Sequence, residues 1–90
     1  MFEAIFKLKM SSKRFARESK KSEKEKKKNL VKAEQSLKKG DENGARMYVN
    51  NAQNNINDQK KYLNMSSKLD AIASKLKSNS NSQEVMQYLA

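Results

Sequence analysis

The stretch Lys38-Lys39-Gly40-Asp41-Glu42-Asn43-Gly44-Ala45 decides the fold, because it holds the only two glycines of a 90-residue chain that has no proline. Gly40 can adopt the left-handed conformation that ends a helix, and the lysines before it suit a helix C-terminus. The Asp41 carboxylate can cap the helix that follows. Long segments with helical spacing lie on both sides. The sequence therefore predicts an all-α protein, a long antiparallel hairpin of helices at about 2–39 and 42–77.

The first arm carries apolar and small side chains at alternating steps of three and four residues, which is the a/d pattern of a coiled-coil seam. Serines and one lysine weaken the middle of this seam, whereas its two ends are apolar. The positions assigned to the seam are Ile5, Leu8, Ser12, Phe15, Ser19, Ser22, Lys26, Leu30, Ala33 and Leu37.

Two apolar stripes overlap on the second arm. We expect the first stripe to pack on the first arm; its members are Ala45, Val49, Ala52, Ile56, Gln59, Leu63, Ser66 and Ala73. The second stripe then has no partner inside the hairpin, which implies another packing element. We predict a dimer or a larger helical assembly, with self-association through Tyr62, Met65, Leu69, Ile72 and Leu76.

The turn also predicts which residues face each other across the hairpin. Centring it on Asp41 places Ala33 opposite Val49 and Ser19 opposite Leu63. Large side chains then face small ones for much of the length, which permits close approach of the two helices.

Composition argues against a self-sufficient enclosed core. Only 36% of residues are apolar and the mean hydropathy is −1.06, so one seam has to offset the ordering entropy of a long chain. We therefore expect a partner. The chain has no cysteine and no histidine, so it has no disulfide, no thiolate metal site and no imidazole base. Carboxylates lie only in mixed-charge faces and no phosphate-binding loop is present, so we predict a non-catalytic protein without cofactor or metal.

The net charge of +10 is distributed unevenly. Residues 1–39 carry fourteen basic and five acidic side chains, whereas residues 40–90 carry six and five. Such a field favours an anionic partner, although a solvated helix face is the simpler interpretation of any charge run. The residues predicted to form the anionic-surface site are Lys7, Lys13, Arg14, Arg17, Lys20, Lys21, Lys24, Lys27 and Lys28.

The two ends of the chain carry further apolar side chains. Phe2, Ile5 and Phe6 suit a short anchor that inserts into a membrane interface, or they pack against the far end of the second arm. No apolar run approaches the ~20 residues that span a bilayer. We assign residues 1–77 to the hairpin. Residues 78–90 form a weak-helix segment with a possible short third helix from about 82, and the abrupt end suggests a truncated protein.

Several blocks of the chain occur in the order found in a known family. The most specific are the Lys38-Lys-Gly-Asp41 turn followed by Ala45-Arg46, and Met65-Ser-Ser-Lys-Leu-Asp-Ala-Ile-Ala73. Together with Phe6–Met10, Ser19–Glu25 and Asn51–Ala52, they make residues 5–77 resemble the N-terminal half of the charged multivesicular body protein 1 family. This family is a branch of the ESCRT-III membrane-remodelling proteins.

The resemblance implies that the arms are the first two helices of an ESCRT-III core, on which later helices pack. It implies a subunit that polymerises with itself and with other ESCRT-III subunits on anionic membranes, in multivesicular body sorting and cytokinetic abscission. It also implies a cytoplasmic protein associated peripherally with endosomal membranes. The family's C-terminal helix, which recruits an AAA ATPase, is not among these 90 residues, so we expect no ATPase binding by that route. Two other functions stay open: a basic coiled coil that binds nucleic acid, and a plain scaffold hairpin.

Overall fold

A computed structural model describes residues 2–79 as two helices, α1 (Phe2–Lys38) and α2 (Glu42–Asn79). They run antiparallel and pack along their length, which confirms the predicted all-α hairpin. At the α-helical rise, each helix is about 55 Å long. The third helix predicted from about 82 lies outside the described residues.

The turn ends α1 in a Schellman motif. Gly40 has a φ of 79°, the left-handed conformation that only glycine adopts without strain. Its N–H donates to the Leu37 carbonyl at 3.0 Å, and the N–H of Asp41 donates to the Ser36 carbonyl at 2.8 Å. These two bonds satisfy carbonyl oxygens that the end of a helix leaves without a partner.

Asp41 also begins α2. Its Oδ1 accepts the Gly44 N–H at 2.9 Å, and its backbone carbonyl accepts the Ala45 N–H at 3.1 Å. This is the N-cap predicted from the sequence. The carboxylate lies so close to Gly44 that a Cβ there would collide with Oδ2 and lie 2.8 Å from Cγ. The second glycine therefore leaves room for the cap.

The seam between the helices is built almost entirely from small side chains. Its buried apolar residues are one isoleucine and four alanines: Ile5, Ala33, Ala45, Ala52 and Ala73. Its buried polar residues are all serines: Ser12, Ser19, Ser22, Ser36 and Ser66. Larger side chains such as Leu8, Phe15, Tyr62 and Leu69 are half-buried at its margins.

Side-chain hydrogen bonds cross the seam at three levels. Ser12 Oγ donates to the Ser66 carbonyl at 3.1 Å and lies 3.0 Å from Ser66 Oγ. Ser19 Oγ donates to the Gln59 carbonyl at 3.3 Å. Nearer the turn, an Asn29 Nδ2–H donates to Asn55 Oδ1 at 2.8 Å. No buried side-chain nitrogen or oxygen within residues 2–79 lacks a hydrogen-bond partner, so the polar seam is satisfied.

Over the half of the hairpin away from the turn, the register differs by about one helical turn from the one predicted. Ser19 was expected opposite Leu63 but contacts Gln59, four residues earlier, and Leu63 is 48% exposed. The predicted seam residues Leu30 and Leu37 are also exposed. Continuing the strict three-four alternation past Lys26 reaches Asn29, Ala33 and Ser36 instead, and small side chains there let the backbones approach. The prediction included Ala33 but chose the apolar neighbours Leu30 and Leu37 in place of Asn29 and Ser36.

The turn geometry predicts the effect of replacing Gly40. Gly40→Ala retains the turn only by placing a Cβ at positive φ, which costs about 1–2 kcal/mol. The free energy of unfolding from urea titration followed by circular dichroism measures this loss. Asn43→Ala, an exposed change in the first turn of α2, is the matched control. Equal stability of the two variants would contradict the role given to Gly40.

The register is testable by cross-linking, because the chain has no native cysteine to interfere. Ser12→Cys with Ser66→Cys places two sulfurs where hydroxyls lie 3.0 Å apart, so oxidation should close an intramolecular disulfide. Ser12→Cys with Asp70→Cys moves one partner by a turn, about 5.4 Å, and should stay reduced. Thiol titration with mass spectrometry of the monomer reads the result. Preferential cross-linking of the second pair would restore the register expected from the sequence.

Candidate anionic-surface site

One side of α1 faces away from α2 and is basic without interruption. In each heptad of α1, three positions lie farthest from the seam. Between residues 13 and 28, every one of these positions carries Lys or Arg, and all of these side chains are exposed. This surface, called the outer face below, extends for about 22 Å along the helix. Its members are Lys13, Arg14, Arg17, Lys20, Lys21, Lys24, Lys27 and Lys28.

The carboxylates of α1 do not interrupt the outer face. Glu18, Glu23 and Glu25 flank the seam and pair with Lys21, Lys27 and Lys28 of their own helix at 3.7–4.0 Å. Such exposed pairs contribute about 0.3–0.5 kcal/mol each, so an external anion can compete for the lysines.

The remaining outer-face residues have no ion pair within residues 2–79. They are Lys13, Arg14, Arg17, Lys20 and Lys24, which form the N-terminal part of the surface. The Arg14 guanidinium lies 5.9 Å from the centroid of the Phe15 ring, which holds it beside the helix. Lys7, the other residue of the predicted site, pairs with Glu3 at 3.6 Å, nearly two turns before the outer face.

Apolar side chains continue the outer face toward the N-terminus. Phe6 is 65% exposed and Met10 is 46% exposed, at positions that precede Lys13 and Arg17 by one heptad. Phe2 is the most exposed of the large apolar side chains, at 79%. Ile5, in contrast, is 8% exposed and lies in the seam, so the closed hairpin does not present it at the surface. Phe2 and Phe6 are presented, and the sequence prediction did not include Met10.

The stripe assigned to self-association is divided between the seam and the surface. Tyr62 stacks on Phe15 with ring centroids 6.0 Å apart, so it already has a partner in α1. Leu69 and Leu76 are half-buried, as is Met65, and Ile72 is 48% exposed. The sequence analysis did not predict a second row of exposed apolar side chains, because it assigned these residues to the seam. That row comprises Leu30, Leu37, Val49 and Leu63.

The outward side of α2 differs from that of α1 in charge. Four asparagines follow each other there at steps of seven residues, all exposed: Asn43, Asn50, Asn57 and Asn64. Gln53 Nε2–H donates to Asn57 Oδ1 at 3.3 Å along this side. The same side also carries exposed Lys60, Lys61 and Lys68, so the back of the hairpin is polar and moderately basic, whereas its front is densely basic.

Chemical features beyond charge are few in the described part of the chain. No group of three or more acidic residues that could hold a metal ion occurs within residues 2–79. Neither helix contains a segment long and apolar enough to cross a membrane. No protein-family model matches the chain, and a search of curated proteins finds no match either. The surfaces of the hairpin are therefore the features that bear on function.

Proposed function

We propose that this protein is a non-catalytic subunit that binds anionic membranes through the outer face of α1 and assembles on them. The observation that carries the proposal is the continuity of two surfaces on one side of α1. Eight exposed basic residues run into exposed Phe6 and Met10 without an acidic residue between them. Cations beside exposed aromatic and aliphatic side chains suit an interface of anionic headgroups above acyl chains.

The same geometry defines how the hairpin would lie on a membrane. The outer face points away from α2, so binding through it places α1 between the bilayer and α2. Lysine stems can lie along the headgroup region while their ammonium groups reach the phosphates. The outward side of α2 and the exposed apolar edges of the hairpin would then remain free for other subunits.

The assembly part of the proposal draws on the resemblance to the charged multivesicular body protein 1 family. A subunit of the ESCRT-III type would polymerise on endosomal membranes with copies of itself and with related subunits, and would remodel the bilayer. The seam supports the need for further packing, since its buried side chains are mostly alanine and serine and bury little apolar area. Exposed Ile72 and half-buried Met65 on one edge of α2 are the surface for that contact.

Binding to nucleic acid is the competing function, because phosphates of a duplex attract the same lysines. The aromatic and aliphatic side chains distinguish the two functions. Phe6 and Met10 gain from insertion into a bilayer but find no equivalent on a phosphate backbone. A membrane-binding hairpin therefore loses affinity when Phe6 becomes serine, whereas backbone binding to a duplex is unaffected.

The membrane proposal predicts that charge position matters more than net charge. Lys20→Glu/Lys21→Glu/Lys24→Glu on the outer face should abolish sedimentation with phosphatidylserine vesicles. Lys60→Glu/Lys61→Glu/Lys68→Glu on α2 changes the net charge equally and should retain most binding. Each lysine near an anionic surface contributes about 1 kcal/mol, so the first variant loses at least 100-fold in affinity. Equal loss in both variants, or no dependence on phosphatidylserine content, would refute the assignment.

The assembly proposal predicts that the two edges of α2 are not equivalent. Ile72→Ser should shift the protein toward monomer, whereas Leu63→Ser should not, although both side chains are 48% exposed. Sedimentation velocity over a concentration series measures the effect. Because both residues are at the surface, neither change should unfold the hairpin. A wild-type protein that stays monomeric at the highest concentration would exclude self-association in solution.

A further inference from the structure

The open end of the hairpin contains a groove to which both helices contribute. Its apolar part is formed by Phe2, Phe6 and Met10 above the buried Ile5. Three lysines complete it: Lys9 and Lys13 from α1, and Lys77 from α2. Lys77 is 64 positions from Lys13 in the chain, so only the fold brings it to this groove.

The spacing of the α1 residues places them on one side of the helix. Phe2, Phe6, Lys9, Met10 and Lys13 follow at steps of three and four residues, apart from one adjacent pair. The apolar side chains lie toward the N-terminus and Lys13 lies toward the outer face. Lys77, near the end of α2, lies opposite the start of α1, so lysines are present at both ends of the apolar part.

Among the residues that the structure describes, no acidic side chain lines the groove. The nearest carboxylate in the sequence is Glu3, and it is engaged by Lys7 at 3.6 Å. Three cations beside an apolar surface, without a carboxylate to neutralise them, fit a ligand that is anionic at one end and apolar along the rest. Because the groove is cationic, we expect a zwitterionic or cationic amphiphile of the same length to bind more weakly than an anionic one.

We infer that this groove binds a single anionic amphiphile, with an alkyl chain against Phe2, Phe6 and Met10 and its phosphate paired with lysines that line the groove, Lys77 among them. The ligand class is a phosphate monoester or diester that bears a long alkyl chain, as an anionic phospholipid does. This is a discrete site for one molecule; it shares Phe6, Met10 and Lys13 with the membrane surface proposed above and rests on that proposal. Saturable binding of a soluble amphiphile and sedimentation with vesicles are separate measurements, so failure of the groove and failure of membrane binding can be distinguished.

The probe that tests the site is dodecyl phosphate below its micelle-forming concentration, titrated into the full 90-residue chain. Backbone amide shifts in nuclear magnetic resonance spectra should move saturably, with one ligand per chain, for residues 2–13 and around Lys77. Inorganic phosphate tests the headgroup alone, and dodecyltrimethylammonium tests the chain with opposite charge. Saturation by dodecyltrimethylammonium at the same concentration would overturn the inference, as would the absence of any saturable shift with dodecyl phosphate.

Two matched variants test the contribution of α2. Lys77→Met retains the length of the side chain and removes the charge, and should weaken dodecyl phosphate binding roughly two- to fivefold, as expected for one exposed ion pair. Lys75→Met changes an exposed lysine outside the groove and should leave the affinity unchanged. Equal weakening by both changes would mean that the ligand senses only net charge, and the site would be refuted.

A third variant tests the apolar part of the groove. Phe6→Ser should weaken binding by roughly tenfold, since it removes an aromatic surface that the alkyl chain would cover. The side chain is 65% exposed, so the hairpin should fold normally, and circular dichroism checks this.

The same titrations detect two other occupants of the groove. Tighter binding after Leu89→Ser would mean that the chain's own C-terminal residues fill the groove, and affinity that falls with protein concentration would mean that a second copy does. Either result would overturn the inference.

Discussion

The structure depends on the close approach of two helices along a seam of alanine and serine. Side chains of this size let the backbones come together, but they contribute little burial of apolar surface. Because small side chains do not interlock by shape, hydrogen bonds across the seam determine which positions of the two helices pair. Ser12 with Ser66, Ser19 with Gln59 and Asn29 with Asn55 each join a particular pair of positions, so a shift of one turn would leave buried hydroxyl groups without their partners. The seam is therefore stronger as a determinant of register than as a source of stability.

A seam of small residues also determines what the surface contains. Larger apolar side chains do not fit between the helices, so they lie along the edges, where Leu30, Val49 and Ile72 are about half exposed. The basic residues lie farthest from the seam, on the outer face of α1. The turn joins these surfaces through three residues, Lys39, Gly40 and Asp41, and Asp41 both completes the end of α1 and caps α2.

The sequence predicts the hairpin well and its details less well. Two glycines in a chain without proline define the single turn, and the Asp41 cap follows from ordinary helix-end chemistry. The predicted register was wrong toward the open end, and the predicted seam left the strict three-four alternation when it took Leu30 in place of Asn29. Choosing the more apolar of two neighbouring residues is a sound rule for a hydrophobic core. The core of this hairpin consists mainly of alanine and serine, so the rule fails here. The basic surface was visible in the sequence, but the groove that includes Lys77 was not, since it needs two helix ends that are far apart in the chain.

The position of the charges relative to the seam links folding to binding. The densest run of cations, residues 13–28, covers the most polar part of the seam, where Ser19, Ser22 and Lys26 replace apolar residues. Repulsion among exposed cations one turn apart disfavours the helix, and the seam beneath them offers little compensation. An anion bound along the outer face removes the repulsion, and it binds the folded hairpin better than an unfolded chain that cannot align its lysines. Any such ligand must therefore stabilise the hairpin by mass action. Residues 13–28, where the seam contributes least to the stability of the hairpin, are thus the segment that an anionic partner stabilises most.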